Sequence, residues 1–124
     1  MQQPRIVVVD DWTDFWGNQP GTQRLRERAD VTIYTTPAAD EYEVMQRLKD
    51  ATVVLANRER TPLNARVLRS AESLELLAQT GRISPNVDAE AATERGIALV
   101  AAGGQGGSYV AIAELGLALL LALA

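Results

Sequence analysis

Apolar residues recur along this chain in short runs, at 6–9, 31–34, 53–55, 74–78 and 97–100. Each run has strand length, and polar stretches of helical or loop character separate one run from the next, which predicts strands joined by crossovers rather than hairpins. Helices are expected at 22–28, 40–49, 62–70 and 89–95, with a further one at 109–124. Several of their ends carry boundary chemistry. Thr61 followed by Pro62 reads as an N-cap with proline at the first helical position, and Asp88 is placed to cap the helix that Gly96 ends.

Five strands alternating with helices predict an α/β fold, a five-stranded parallel sheet wound on both faces in the flavodoxin-like manner and ending in an apolar C-terminal helix. In such a sheet ligands sit outside the carboxyl ends of the strands. The segments to watch are therefore 10–17, 35–39, 56–61, 79–87 and 101–108.

Composition narrows the possibilities. With 124 residues, 47% of them hydrophobic, the chain suffices for one domain with a buried core and leaves no room for a second. Twelve basic against 16 acidic side chains give a net charge of −4 with no basic cluster, so nucleic acid is not an expected partner. Cysteine and histidine are both absent, which removes disulfides, thiolate metal sites, a cysteine nucleophile and imidazole acid–base chemistry. The N-terminal sequence MQQPRIVVVDD reads as a strand and not a signal, so a cytoplasmic setting is expected. Residues 115–124 are the most apolar stretch, shorter than the roughly 20 residues a membrane span needs. They are expected to form a buried helix.

Four segments carry candidate chemistry. Val7-Val8-Val9-Asp10-Asp11 resembles the acidic pair of phospho-receiver domains, but Ala56-Asn57-Arg58 follows the third strand where an acceptor aspartate would be needed. Asp10 and Asp11 are then expected to cap or hydrate a strand end. The loop Thr80-Gly81-Arg82-Ile83-Ser84-Pro85-Asn86-Val87-Asp88 follows the fourth strand, and consecutive backbone N–H groups in a tight loop can hold a carboxylate. It reads either as that or as a plain strand-to-helix connection. In Asn57-Arg58-Glu59-Arg60-Thr61, Arg58 or Arg60 could grip a carboxylate bidentately; equally the run could be solvated surface, with Arg60 paired to Glu59 or Asp40. The glycines of 103–107 suggest a flexible joint or close backbone approach. Their spacing does not make a dinucleotide loop, because a G-x-G-x-x-G turn begun at Gly104 would need glycine at Tyr109.

In order, residues 80–114 offer a Gly-containing loop, a short helix closed by Arg95-Gly96, a strand, a glycine-rich loop and an Ala113-Glu114 helix start. This order resembles the D-isomer-specific 2-hydroxyacid dehydrogenases, including their formate and phosphoglycerate dehydrogenase relatives. The resemblance implies that the backbone amides of Gly81, Arg82, Ile83 and Ser84 hold a substrate carboxylate and that Arg58 or Arg60 lies near it. It also implies that the loop carrying Gly104, Gly107 and Ser108 faces the nicotinamide. Ile83 stands where that pattern has a second glycine, Ala102 where it commonly has asparagine, and Ile112 where it has valine.

The family's catalytic His–Glu pair and its substrate-orienting arginine come from a cofactor domain and have no counterpart here. The implied organisation is a substrate domain at 1–108 and an interdomain helix at 109–124, with the NAD-binding Rossmann domain absent. The parent enzyme would reduce a small 2-keto acid with NAD or NADP as cofactor. The chain alone is expected to be inactive, to bind no cofactor, and to form a homodimer through the 109–124 helix. The alternative is a stand-alone flavodoxin-like binding module without enzymatic activity.

Overall fold

The computed structural model describes residues 3–102 and 108–123. Its elements run β1 (Arg5–Val8), α1 (Pro20–Arg26), β2 (Asp30–Ile33), α2 (Glu41–Leu48), β3 (Val53–Asn57), α3 (Ala65–Ser70), β4 (Leu76–Thr80), α4 (Ala89–Glu94), β5 (Ala98–Ala102) and α5 (Ser108–Leu123). The five strands form one sheet in the order β2-β1-β3-β4-β5, parallel throughout. This is the flavodoxin-like sheet expected from the alternation of apolar runs.

Right-handed crossovers decide which face each helix covers. The connection from β1 to β2 moves one way along the sheet and the later connections move the other way, so α1 stands alone on one face while α2, α3 and α4 share the opposite one. The side facing α2–α4 is the core: Val7, Val54, Ala56 and Leu77 are fully buried against Val44, Leu48, Val67, Leu68 and Ala92. Strand residues of the other parity point away from these helices. Ile6, Val31, Val53, Leu55, Leu76 and Ala78 line, with α1, an open cavity of about 800 Å³.

Helix boundaries follow the caps. Asp88 accepts a hydrogen bond from the Ala91 N–H at 2.9 Å, as the sequence suggested. At the other end of α4, Gly96 takes a φ of +69°. Its N–H reaches the Thr93 carbonyl at 3.0 Å and the Ile97 N–H the Ala92 carbonyl at 2.9 Å, the paired bonds of a Schellman motif. Buried Ile97 thus belongs to this closure, and β5 starts one residue later.

Elsewhere the boundaries differ from expectation. Helix α1 begins at Pro20, which occupies the first turn where its missing N–H costs nothing. Helix α3 does not start at Pro62 under a Thr61 cap. Leu63 is fully buried and forms a parallel bridge with Val87. Its N–H donates to the Asn86 carbonyl at 2.7 Å and its carbonyl accepts from the Asp88 N–H at 3.0 Å. That pairing holds the chain extended until Asn64, whose side chain caps Val67 at 3.0 Å.

Helix α5 is not the buried helix expected. Its described side chains are exposed, with Leu115 60%, Leu117 59% and Leu121 68% accessible. The reason is geometric: α2–α4 fill one face of the sheet and no described contact brings α5 to the other. No described helix is long and apolar enough to cross a membrane.

The cap assignment is testable. Asn64→Ala should lower stability by about 1 kcal/mol, the usual cost of losing an N-cap, in urea denaturation. Replacing Pro62 by alanine should have a much smaller effect, whereas the reverse ranking would restore the Thr61-Pro62 start.

Candidate functional site at the carboxyl edge of the sheet

Parallel strands deliver their carboxyl ends to a single edge, and there the loops after β3 and β4 are stitched together. Asn57 and Thr80 are register partners at the ends of their strands. The Thr80 hydroxyl donates to Asn57 Oδ1 at 2.7 Å and accepts from the Arg58 N–H at 3.1 Å. From the far side of the β4 loop, Asn86 Nδ2 donates to the Arg58 carbonyl at 3.3 Å and the Thr61 carbonyl at 3.0 Å. Arg58 is therefore held through both its backbone groups, and it is held at a φ of +57°. Arginine adopts that left-handed conformation at a cost of about 1 kcal/mol or more. Its side chain is exposed, and it forms no ion pair among the described residues.

The β4 loop turns at Gly81, where φ is +84°. Beneath it lies Gln79, the buried penultimate residue of β4. Gln79 Nε2 donates to the Arg82 carbonyl at 2.9 Å and to Ser84 Oγ at 3.1 Å, while Ser84 Oγ bonds Asn86 Oδ1. The loop is thus shaped from below, through its carbonyls and side chains. Among the described residues, the backbone N–H groups of Gly81, Arg82, Ile83 and Ser84 donate no hydrogen bond within the chain. Ile83 has no positive φ, so it needs no glycine there, and its side chain packs against the core. Consecutive amide donors beside an exposed Arg58 and an exposed Arg82 suit an anion.

Arg60 behaves differently from Arg58. It pairs with neither Glu59 nor Asp40; its Nη1 donates to the Asp10 carbonyl at 3.0 Å and its guanidinium lies 5.2 Å from the centre of the Trp12 ring. With Pro37, Ala38, Val44 and Thr61, these two side chains line a second cavity of about 370 Å³.

Of the two roles expected of Asp10 and Asp11, capping or hydrating a strand end, hydration fails because both are fully buried. Asp11 caps the turn that follows, accepting from the Phe15 and Trp16 N–H groups at 3.0 and 2.7 Å. Asp10 Oδ1 accepts from the Asn57 N–H at 2.8 Å, while its Oδ2 has no partner among the described residues. Burial pushes the Asp10 pKa above its ordinary value, and the nearby Thr61 side chain, the Asn57 N–H bond and the Arg60 charge oppose that rise.

Two contributors escape a reading of the sequence. Gln79 could have been flagged as the polar residue that directly follows the apolar run of β4. Arg47 falls beside Val44 and Leu48 on the inner side of α2 and is buried with them. It donates to the Thr36 carbonyl at 2.7 Å and to the Val9 and Pro37 carbonyls at 3.3 Å, lies over the Tyr34 ring at 4.4 Å and pairs with Glu43. The bond from the Ala39 N–H and the Arg47 partner together lower the Glu43 pKa. Arg47 fixes the loop after β2, which carries Pro37 and Ala38 to the second cavity.

Of the residues expected to face a cofactor, Gly104 and Gly107 lie outside the described residues, and Ser108 opens α5. No described connection between a strand and a helix has the glycine spacing of a pyrophosphate cradle.

The D-isomer specific 2-hydroxyacid dehydrogenase catalytic domain matches residues 6–116 of this chain. The chain belongs to that family. Among curated proteins it is 35% identical over 120 residues to the D-3-phosphoglycerate dehydrogenase of Methanocaldococcus jannaschii, a match covering 97% of this chain and 21% of that protein. The chain thus spans about a fifth of that relative's length. Among solved structures, the phosphoglycerate oxidoreductase of Vibrio cholerae superposes with a TM-score of 0.77 at 29% identity, covering 98% of this chain and 37% of that one. The 3-phosphoglycerate dehydrogenase of Entamoeba histolytica, solved with NAD+ bound, shares the fold with a TM-score of 0.64 at 17% identity over 81% of this chain and 33% of that one.

The Asp10 environment makes a pH prediction. A carboxyl whose folded-state pKa is raised contributes stability that is present below its unfolded pKa and is lost as pH rises through the folded value. Asp10→Asn removes this term. Urea denaturation across the acid range should show the variant gaining on the wild type as pH climbs above the ordinary aspartate value. A constant difference at every pH would contradict the raised pKa.

Proposed function

We propose that this chain forms the substrate half of an NAD(P)-dependent D-2-hydroxyacid dehydrogenase, with a phosphorylated three-carbon acid of the 3-phosphoglycerate type as its ligand. The observation that carries the proposal is the row of amides at Gly81, Arg82, Ile83 and Ser84 that donate no hydrogen bond among the described residues, beside the pinned, exposed Arg58. The substrate carboxylate sits on the amides. Arg58 and Arg82 bracket them with positive charge and suit a second anionic group on the same ligand. Arg60 contributes indirectly, holding the Asp10 and Trp12 corner against the loop that presents Arg58. The match to D-3-phosphoglycerate dehydrogenase supports this choice of ligand over a simple monoacid.

In the full reaction a 2-keto acid gains a hydride at its carbonyl carbon and a proton at the oxygen, giving the D-2-hydroxy acid. The nicotinamide supplies the hydride when bound. This chain's residues fix the carboxylate so that the neighbouring carbonyl faces the cleft in one orientation. With no histidine, the chain lacks the family's acid for the alkoxide, so we assign proton and hydride delivery to a second domain outside residues 1–124. On this reading 1–108 is the substrate domain, 109–124 leads toward the cofactor domain, and the chain alone is inactive. A cytoplasmic enzyme assembled as a homodimer through 109–124 completes the proposal.

Nuclear magnetic resonance of the isotope-labelled chain tests it directly. Titration with 3-phosphoglycerate should produce saturable shifts at the amides of residues 81–84 and at Arg58, whereas NADH should produce none. Loss of a charge-assisted contact worth about 1.5–3 kcal/mol corresponds to roughly 10- to 100-fold weaker binding, so Arg58→Ala should weaken the titration by at least the lower figure. Shifts absent from the β4 loop would overturn the assignment.

A further inference from the structure

The side-chain hydrogen bonds beneath the anion site run in one direction. Gln79 Nε2 donates to Ser84 Oγ at 3.1 Å, and the Ser84 hydroxyl, which has a single hydrogen, donates it to Asn86 Oδ1. Asn86 Nδ2 has two hydrogens, and two carbonyls of the β3 loop receive them, Arg58 at 3.3 Å and Thr61 at 3.0 Å. Carbonyl oxygens cannot donate, so the amide cannot turn over without setting Oδ1 against both of them. The thread therefore starts in β4 and ends on the backbone of Arg58. Asn86 joins the two loops through its own carbonyl as well, which accepts from the Leu63 N–H at 2.7 Å. With both hydrogens and Oδ1 engaged, its side chain has no donor left for a ligand.

We propose that Asn86 is the positioning residue of the anion site: through its side-chain amide the β4 loop sets the conformation in which Arg58 is presented. Arg58 stands at a φ of +57°, a conformation that arginine leaves unless its surroundings hold it there. The Thr80 hydroxyl holds the Arg58 N–H at 3.1 Å, and Asn86 holds the carbonyl. Both locks come from the β4 side, since Thr80 ends the strand and Asn86 lies just past the amides of 81–84. The two halves of the site, amides and arginine, thus keep their spacing because one side chain binds the loops that carry them. Asn86 acts through Arg58 and touches no ligand itself. The ligand part of this inference rests on the anion reading proposed above, whereas the conformation of Arg58 is a property of the chain alone.

The conformation is tested first, by nuclear magnetic resonance on the ligand-free chain. A left-handed residue brings its amide and Cα protons close together, so Arg58 should show a strong intraresidue contact between them. Asn86→Asp keeps the acceptor for Ser84 but sets a carboxylate against the Arg58 and Thr61 carbonyls, and the contact should fall to that of an ordinary residue. Asn86→Ala, which adds no charge, gives the same readout where the Asp variant fails to fold. A strong contact retained in a folded Asn86 variant overturns the proposal, as does its absence from the wild type. Binding of 3-phosphoglycerate tests the rest. Asn86→Ala should weaken it about as much as Arg58→Ala does, roughly 10-fold. Residues that act through one another are not additive, so the double variant should bind no worse than Arg58→Ala alone. A double variant weakened by roughly 100-fold, the product of two independent losses, would mean that Asn86 acts apart from Arg58 and overturn the proposal. A wild type that does not bind 3-phosphoglycerate overturns the ligand reading alone, because the Arg58 contact then still decides the role of Asn86.

Discussion

A parallel sheet gathers the carboxyl ends of its strands at one edge, where the ladder stops and the last backbone groups need other partners. In this chain buried polar side chains meet that need. Asp10, Asp11, Arg47, Thr61 and Gln79 are all buried, and all lie at or against the carboxyl edge; Thr22, on α1, is the other buried polar side chain described. Four of these five side chains bond backbone at or just beyond strand ends: Asp10 to Asn57, Asp11 to Phe15 and Trp16, Arg47 to Thr36 and Pro37, Gln79 to Arg82. A buried polar group left without its partner costs about 1–3 kcal/mol. The loops are consequently locked to the sheet, and they need no regular structure of their own to hold a shape.

This arrangement also separates support from display. The β4 loop is gripped through the Arg82 carbonyl and the Ser84 hydroxyl from beneath, and the β3 loop through Thr80 and Asn86 from the side. Among the described residues the N–H groups of 81–84 have no acceptor within the chain, and the Arg58 and Arg82 side chains are exposed. Holding carbonyls while leaving N–H groups free gives a surface of one electrostatic sign without a large net charge. If the proposed carboxylate binds there, a loop already held in shape limits the ordering cost of binding.

The sequence carried the fold well because strand length and helix boundaries are local properties. Apolar runs located all five strands to within two residues, and Asp88 and Gly96 marked α4 from both ends. Errors arose where a distant residue intervened. Leu63 pairs with Val87, a contact across 24 positions that delays α3 past its apparent proline start, and no local signal announces it. The site was legible in part: the loops after β3 and β4 follow from the topology alone. Whether Arg58 or Arg60 faces outward did not, since that depends on Trp12 and the Asp10 carbonyl arriving from β1.

The backbone of Arg58 separates two readings of the β3 loop. Asp14 and Asp50 also have positive φ, but aspartate visits the left-handed region readily and their presence there requires no explanation. Arginine does not. A glycine at position 58 would keep both bonds to Thr80 and Asn86, since both involve only backbone, and would relieve the strain. An arginine there is hard to account for by folding, because it gives the fold no described side-chain contact in return. Strained backbone of this kind clusters at ligand-binding positions, which is the ground for the ligand contact proposed above for Arg58 and not for Arg60, whose side chain bonds the Asp10 carbonyl and lies by Trp12.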